Sequence, residues 1–156
     1  MSDISVQHTG VQKKRLTLRT VPDPVLREIC SPIANFDTRL RTFAERMLSF
    51  MKKHRGIGLA APQVGVLRRV VVMDVDGRRV CLVNPAIISN SEDYDIKMEG
   101  CLSIPNESYT VARRYCIQVT AWDTSARKIT LEARDLFARV IQHEIDHLDG
   151  TLISDT

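Results

Sequence analysis

"LFARVIQHEIDHLDG", Leu136 to Gly150, decides how the rest of the chain is read. Leu136, Phe137, Val140, Ile141 and Leu148 fall at helical spacing, and Gly150 stops the run as a C-cap residue. The pattern predicts a helix from Leu136 to Asp149 with an apolar side turned inward. Within it lies His-Glu-x-x-His. His143 and His147 sit one turn apart on one face, with about 6 Å between their Cβ atoms, a spacing at which both imidazoles reach one ion. Glu144 lies beside them at the rim, placed to reach a water rather than the ion. This five-residue pattern also occurs on exposed polar helix faces. Here the surrounding apolar residues carry the histidines inward, and a buried polar group without a partner costs several kcal/mol. An ion would satisfy both imidazoles at once. Asp146 is expected as a structural carboxylate, paired with an arginine such as Arg113.

Two imidazoles do not complete a catalytic site, so a third ligand must come from upstream. His8 lies in a loose leader and His54 at the basic end of a surface helix. Cys101, in "EGCLSIP" (Glu99 to Pro105), is the better candidate, because a loop between a glycine and a turn lets a thiolate face an ion. Two nitrogens and one sulfur leave a fourth position open, which is the pattern of a catalytic centre.

The other elements set the fold class. "FDTRLRTFAERMLSFMKKH" places Leu40, Phe43, Ala44, Met47, Leu48 and Met51 on one helical stripe, with Asp37 as N-cap and Lys52, Lys53 and His54 at the C-terminal end. "RRVVVMDV" and "RRVCLVNPAII" read as strands joined by a hairpin turn at Asp76-Gly77. "YTVARRYCIQVTAWD" and "KITLEAR" read as further strands around a turn near Thr124 to Arg127, and a short strand is expected from Leu16. The expectation is an α+β fold, mostly antiparallel β-sheets packed around the C-terminal helix. Residues 1–15 are expected as a loose arm and 16–156 as a single catalytic domain.

Composition narrows the function classes. The chain has 156 residues, 44% hydrophobic and 26% charged, with a formal charge of +3. No basic stripe with interleaved aromatics argues for direct nucleic-acid binding, and the apolar runs are strand-sized rather than membrane-sized. The N-terminus lacks the apolar core of a secretory signal. Cys30, Cys81, Cys101 and Cys116 form no disulfide framework, which suits a reducing, cytoplasmic setting, with an organelle as the alternative. Gly56-x-Gly58-x-x-Ala61 mimics a dinucleotide fingerprint, but a charged helix end precedes it and Pro62 follows. It reads instead as a small-residue loop that admits a substrate backbone and carries the Gln63 amide toward a polarised oxygen.

In order, "GIGLAAPQ", "EGCLS" and "HEIDHLDG" resemble the GxGxAAxQ, EGCLS and HExDHLxG motifs of the peptide deformylase family, matching every fixed position. The resemblance implies that Cys101, His143 and His147 bind one divalent metal, commonly ferrous iron, with zinc, nickel or cobalt able to replace it. It implies that Glu144 takes a proton from the attacking water and passes one to the departing amine. The Gln63 side chain and the Leu102 N–H would hold the tetrahedral oxygen. Substrates would be N-formylmethionyl peptides. The Gly56, Ile57 and Gly58 backbone would pair with them as a strand, and Ile57, Leu136 and Val140 would line the methionine slot. Some relatives contact the ribosome through a longer tail that continues past "TLISDT", so the ribosome stays open as a partner while the short tail argues against docking by that route. Ser108 stands where the common bacterial form has arginine. Two other readings stay open: a paralogue specialised for another formamide or insensitive to inhibitors, and a catalytically silent, metal-stabilised binding domain.

Overall fold

The computed structural model describes residues 15–155. The arm expected over 1–15 falls, apart from Arg15, outside the described residues, as does His8.

Strand β2 (Val70–Val75) is apolar or β-branched at nearly every position, which suits a strand covered on both faces. Its side chains alternate accordingly. Val71, Met73 and Val75 join one buried cluster, and Val70 and Val72 join another. Antiparallel pairing joins β1 (Gly58–Ala60), β2, β3 (Arg78–Asn90), β6 (Cys116–Trp122) and β7 (Lys128–Arg134) into a sheet of order β1-β2-β3-β6-β7. Asp76 and Gly77 join β2 to β3 with φ of 52° and 81°, the left-handed pair that a tight hairpin turn demands. β4 (Tyr94–Cys101) and β5 (Ile104–Arg114) form a separate antiparallel hairpin.

Helix α1 (Thr38–Lys53) packs its stripe of Leu40, Phe43, Ala44, Met47 and Met51 on one face of the five-stranded sheet, against Leu59, Val70, Val72 and Val83. Asp37 caps it, accepting a bond from the Leu40 N–H at 3.1 Å. Helix α2 (Asp135–Leu148) covers the other face through Phe137, Ala138, Val140, Ile141, Ile145 and Leu148. Each large side chain so buried contributes roughly 1.5–3 kcal/mol. The opposite side of α2 meets the β4–β5 hairpin through polar bonds, so the helix lies between the two sheets. The fold is α+β as expected, with antiparallel sheets about a C-terminal helix.

Four local expectations are corrected. Residues 16–20 form no strand: Arg19 N–H donates to Gln63 O and Val21 N–H to Ser103 O, two different segments, so no ladder develops. The supposed loop at Gly58 begins with β1, because Gly58, Leu59 and Ala60 pair with β2 before a 3-10 turn at Ala61–Val64. Cys101 ends strand β4 rather than lying in a loop, and the turn is Leu102-Ser103. "YTVARRYCIQVTAWD" contributes to two strands in different sheets, broken at Tyr115.

β4 is inside out. Asp95, Glu99 and Cys101 are shielded toward α2, whereas Tyr94, Ile96 and Met98 face solvent at 56%, 66% and 63% exposure. A strand patterned this way buries charge because its neighbour supplies the countercharges.

Candidate metal centre

Three donor atoms converge where the end of β4 meets α2. Cys101 Sγ lies 3.3 Å from His147 Nε2, which lies 3.2 Å from His143 Nε2. All three ligand atoms fall within 4.8 Å of one another. The helix supplies both imidazoles because positions four apart share a face. The hairpin supplies the sulfur because Gly100 and the turn bring Cys101 under that face.

Glu99 orients the first imidazole. Its Oε1 lies 2.9 Å from His143 Nδ1, so a carboxylate there fixes a proton on Nδ1 and turns Nε2 toward the other two donors. Arg113 holds the same carboxylate with two bonds of 2.9 Å, and Arg139 Nη1 adds a third contact at 2.5 Å. Burial pushes the Glu99 carboxyl up, but the bonds from His143 and Arg113 outweigh it and hold the group at about 2. Arg113 also reaches Asp146 at 2.5 Å, the pairing anticipated from the sequence.

The two imidazoles respond in opposite directions. Burial lowers the His143 pKa, yet bonds from Cys101 and Glu99 and the charge of Glu144 raise it to about 10. Burial, then the proximity of His143 and Arg113, drives His147 well below the ordinary imidazole range. The set of one thiol and two imidazoles suits a borderline divalent metal, and its residues fit such an ion.

Glu144 is 3% exposed, and its Oε2 has no hydrogen-bond partner among the described residues. Burial lifts its carboxyl to about 7 against the pull of His143 and Arg113. Gly58 makes room for it: a Cβ there would stand 2.5 Å from Glu144 Oε1 and 2.8 Å from Val140 Cγ1. Gln63 is locked in place, accepting from the Ala60 N–H at 2.9 Å and donating from Nε2 to Ser103 Oγ at 3.1 Å, with Cys101 Sγ 3.7 Å away.

A cavity of about 860 Å³ opens beside these groups. Gly56, Ile57, Gly58, Gln63, Cys101, Leu102, Leu136, Val140, His143 and Glu144 line it, so nearly every residue singled out in the sequence meets there. His147 lies behind, 2% exposed. Sequence reasoning gave no role to Glu99, Arg139 or Ser103. The signal for Glu99 and Arg139 was the run of charged residues at alternate positions of β4 and the polar residues on the inward side of α2, and Ser103, in the turn, had none. No helix among the described residues is long and apolar enough to cross a membrane.

An HExxH helix completed by an upstream cysteine, beside a buried carboxylate and an open cavity, defines a metal-dependent hydrolase. The family model for polypeptide deformylase matches residues 15–156. Peptide deformylase 2 of Gloeobacter violaceus is 41% identical over 99% of this chain and 85% of its own length. The crystal structure of peptide deformylase from Thermotoga maritima superposes with a TM-score of 0.89 at 39% identity, covering 91% of this chain and 97% of that one. A peptide deformylase from Synechococcus elongatus, crystallised in complex with actinonin, gives a TM-score of 0.87 at 40% identity, covering 90% of this chain and 77% of that one. The chain belongs to the peptide deformylase family, metal-dependent hydrolases that remove a formyl group.

Proposed function

We propose that residues 16–156 are one catalytic unit that hydrolyses the N-formyl group of N-formylmethionyl peptides to formate and a free amine. In this reading Cys101, His143 and His147 hold a single divalent ion, ferrous iron in the native protein. The convergence of those three donors next to an unpartnered, buried Glu144 is the observation that carries it. The ion would supply Lewis acidity and favour ionisation of water at neutral pH.

The chain's own groups do the rest. Glu144 takes a proton from the attacking water and returns one to the departing amine nitrogen. Its raised pKa keeps both protonation states within reach near neutrality. As the formyl carbon becomes tetrahedral, the Gln63 Nε2–H and the Leu102 N–H donate to its oxygen. Gln63 is preorganised for this by Ala60 and Ser103, so little reorganisation is needed in the transition state. The Gly56, Ile57 and Gly58 segment offers its backbone to the extended peptide, and Ile57, Leu136 and Val140 wall the slot for the first side chain. A formyl carbon bears only hydrogen besides oxygen and nitrogen, so a tight site rejects larger acyl groups by shape.

The test is anaerobic purification followed by metal analysis and a formate-release assay on formyl-Met-Ala and acetyl-Met-Ala in one preparation. The reading expects one metal per chain, release from the formyl peptide alone, and loss on chelation. Metal-loaded protein that releases no formate would contradict it.

A further inference from the structure

The β4–β5 hairpin turns its charged side to α2 and leaves its other side uncovered. On β4 that outer side carries Tyr94, Ile96 and Met98, each more than half exposed. Their β5 neighbours are shorter: Thr110 stands opposite Met98 and Ala112 opposite Ile96, both exposed. The three large side chains therefore form an apolar ridge beside a lower strip of the same face. Thr110 Oγ1 donates to Met98 Sδ at 3.0 Å and holds that side chain across the pair. At the far end the Arg114 guanidinium lies 4.2 Å from the centre of the Tyr94 ring and donates to the Ser91 and Glu92 carbonyls, so its charge is already engaged. The near end runs into the catalytic cavity, because Met98 and Ser108, on this same side of the hairpin, also line that cavity.

We propose that this ridge docks the downstream part of a formylated polypeptide, taking apolar side chains beyond the residues held in the cavity. The inference rests on the deformylase reading and extends the substrate from a short peptide to a longer chain. A patch of three such side chains is on the order of a few hundred Å², the scale of functional patches on monomers and well below the roughly 800 Å² per partner of a stable dimer. Its junction with the cavity suits a chain that leaves the active site and continues along the hairpin. From Met98 to Tyr94 is about 13 Å at about 3.3 Å per residue, so four further residues of extended substrate span it. Alternate side chains of an extended chain face one way, so residues two apart reach the ridge together. Leucine there takes apolar surface out of water on both partners. Lysine brings a second positive charge toward Arg114 and meets no carboxylate, since the outward positions of both strands carry no acidic residue.

The experiment measures kcat/KM for decapeptides beginning formyl-Met-Ala-Ser, in which leucine, serine or lysine fills alternate positions from the fourth to the ninth, in both phases, with serine elsewhere. Formyl-Met-Ala, too short to reach the ridge, is the reference within each preparation. In wild type, leucine in at least one phase should exceed serine by about tenfold, the size of half-burying one leucine, chiefly through KM. Lysine should give no gain. In Ile96→Asp the ratio of leucine to serine should fall to about one, whatever the absolute rate, with Ile96→Ala between. Equal rates on leucine and serine peptides in wild type, a gain with lysine as large as with leucine, or a preference that survives Ile96→Asp overturns the docking site. A wild type that sediments as a dimer, and that Ile96→Asp makes monomeric, overturns it too and gives the face to a second copy of the chain. All of these leave formate release from formyl-Met-Ala in place. Metal-loaded wild type that releases no formate from formyl-Met-Ala overturns the deformylase reading, and the docking site with it.

Discussion

Helices α1 and α2 are built to similar lengths and both press an amphipathic face onto the five-stranded sheet, one on each side. Yet the buried positions of α1 are all apolar, whereas those of α2 include Arg139, Gln142, Glu144 and His147. A helix that only needs to be held in place resembles α1. Arg139 and His143 of α2 are sustained by a second partner, the inside-out strand β4, whose Glu99 gathers them with Arg113, and Gln142 bonds to Arg114 of β5. The contrast teaches that burial by itself is a packing signal. Burial of unlike charges around donors that turn their lone pairs inward is a signal of chemistry.

If that contrast is right, substitutions on α2 or at its β4 partner Glu99 should affect turnover or metal before stability, and those on α1 the reverse. The largest effect is expected for Glu144→Ala, which should lower kcat/KM for formyl-Met-Ala by about 10²–10⁴-fold, the range for a lost general base. Its metal content should stay at the wild-type level, checked by elemental analysis of the same preparation. Glu99→Gln comes next. It removes the charge that orients His143 and should weaken metal affinity by about 10–100-fold in a chelator competition, as loss of an outer-shell partner does. On α1, Met47 is fully buried, and Met47→Ala should cost about 2–5 kcal/mol in denaturant unfolding. The kcat/KM of the folded Met47→Ala protein should stay close to wild type. The smallest effect belongs to Asp37→Ala, which removes the N-cap of α1 for about 0.5–2 kcal/mol. A catalytic loss in Met47→Ala as large as that in Glu144→Ala would erase the distinction between the helices.

Much of this was legible in the chain itself. Both helices, the Asp37 cap, the Asp76-Gly77 turn and the Arg113–Asp146 pair follow from local periodicity, capping and charge. The donor set was legible because His143 and His147 share a helical face, which forced the search for an upstream ligand. What stayed hidden depends on long-range pairing. Nothing local marks Gly58–Ala60 as a strand, since its pairing is supplied by β2. Cys101 reads as loop because Gly100 and the turn beside it dominate the local signal, although the register with β5 carries the strand to that residue. The network of Glu99 and Arg139 spans 40 positions of sequence, and it shows only when β4 is laid along α2. Sidedness was the largest blind spot, because apolar Tyr94, Ile96 and Met98 point outward and the charged side inward.

X-ray absorption at the metal edge of the zinc-loaded protein tests the central proposal most directly. One sulfur at about 2.3 Å and two imidazole nitrogens at about 2.0–2.1 Å, with a light atom completing four-coordination, is the expected shell. It should lose its sulfur in Cys101→Ser. A shell without sulfur in the unmodified protein, or one filled by four protein ligands, would contradict the account.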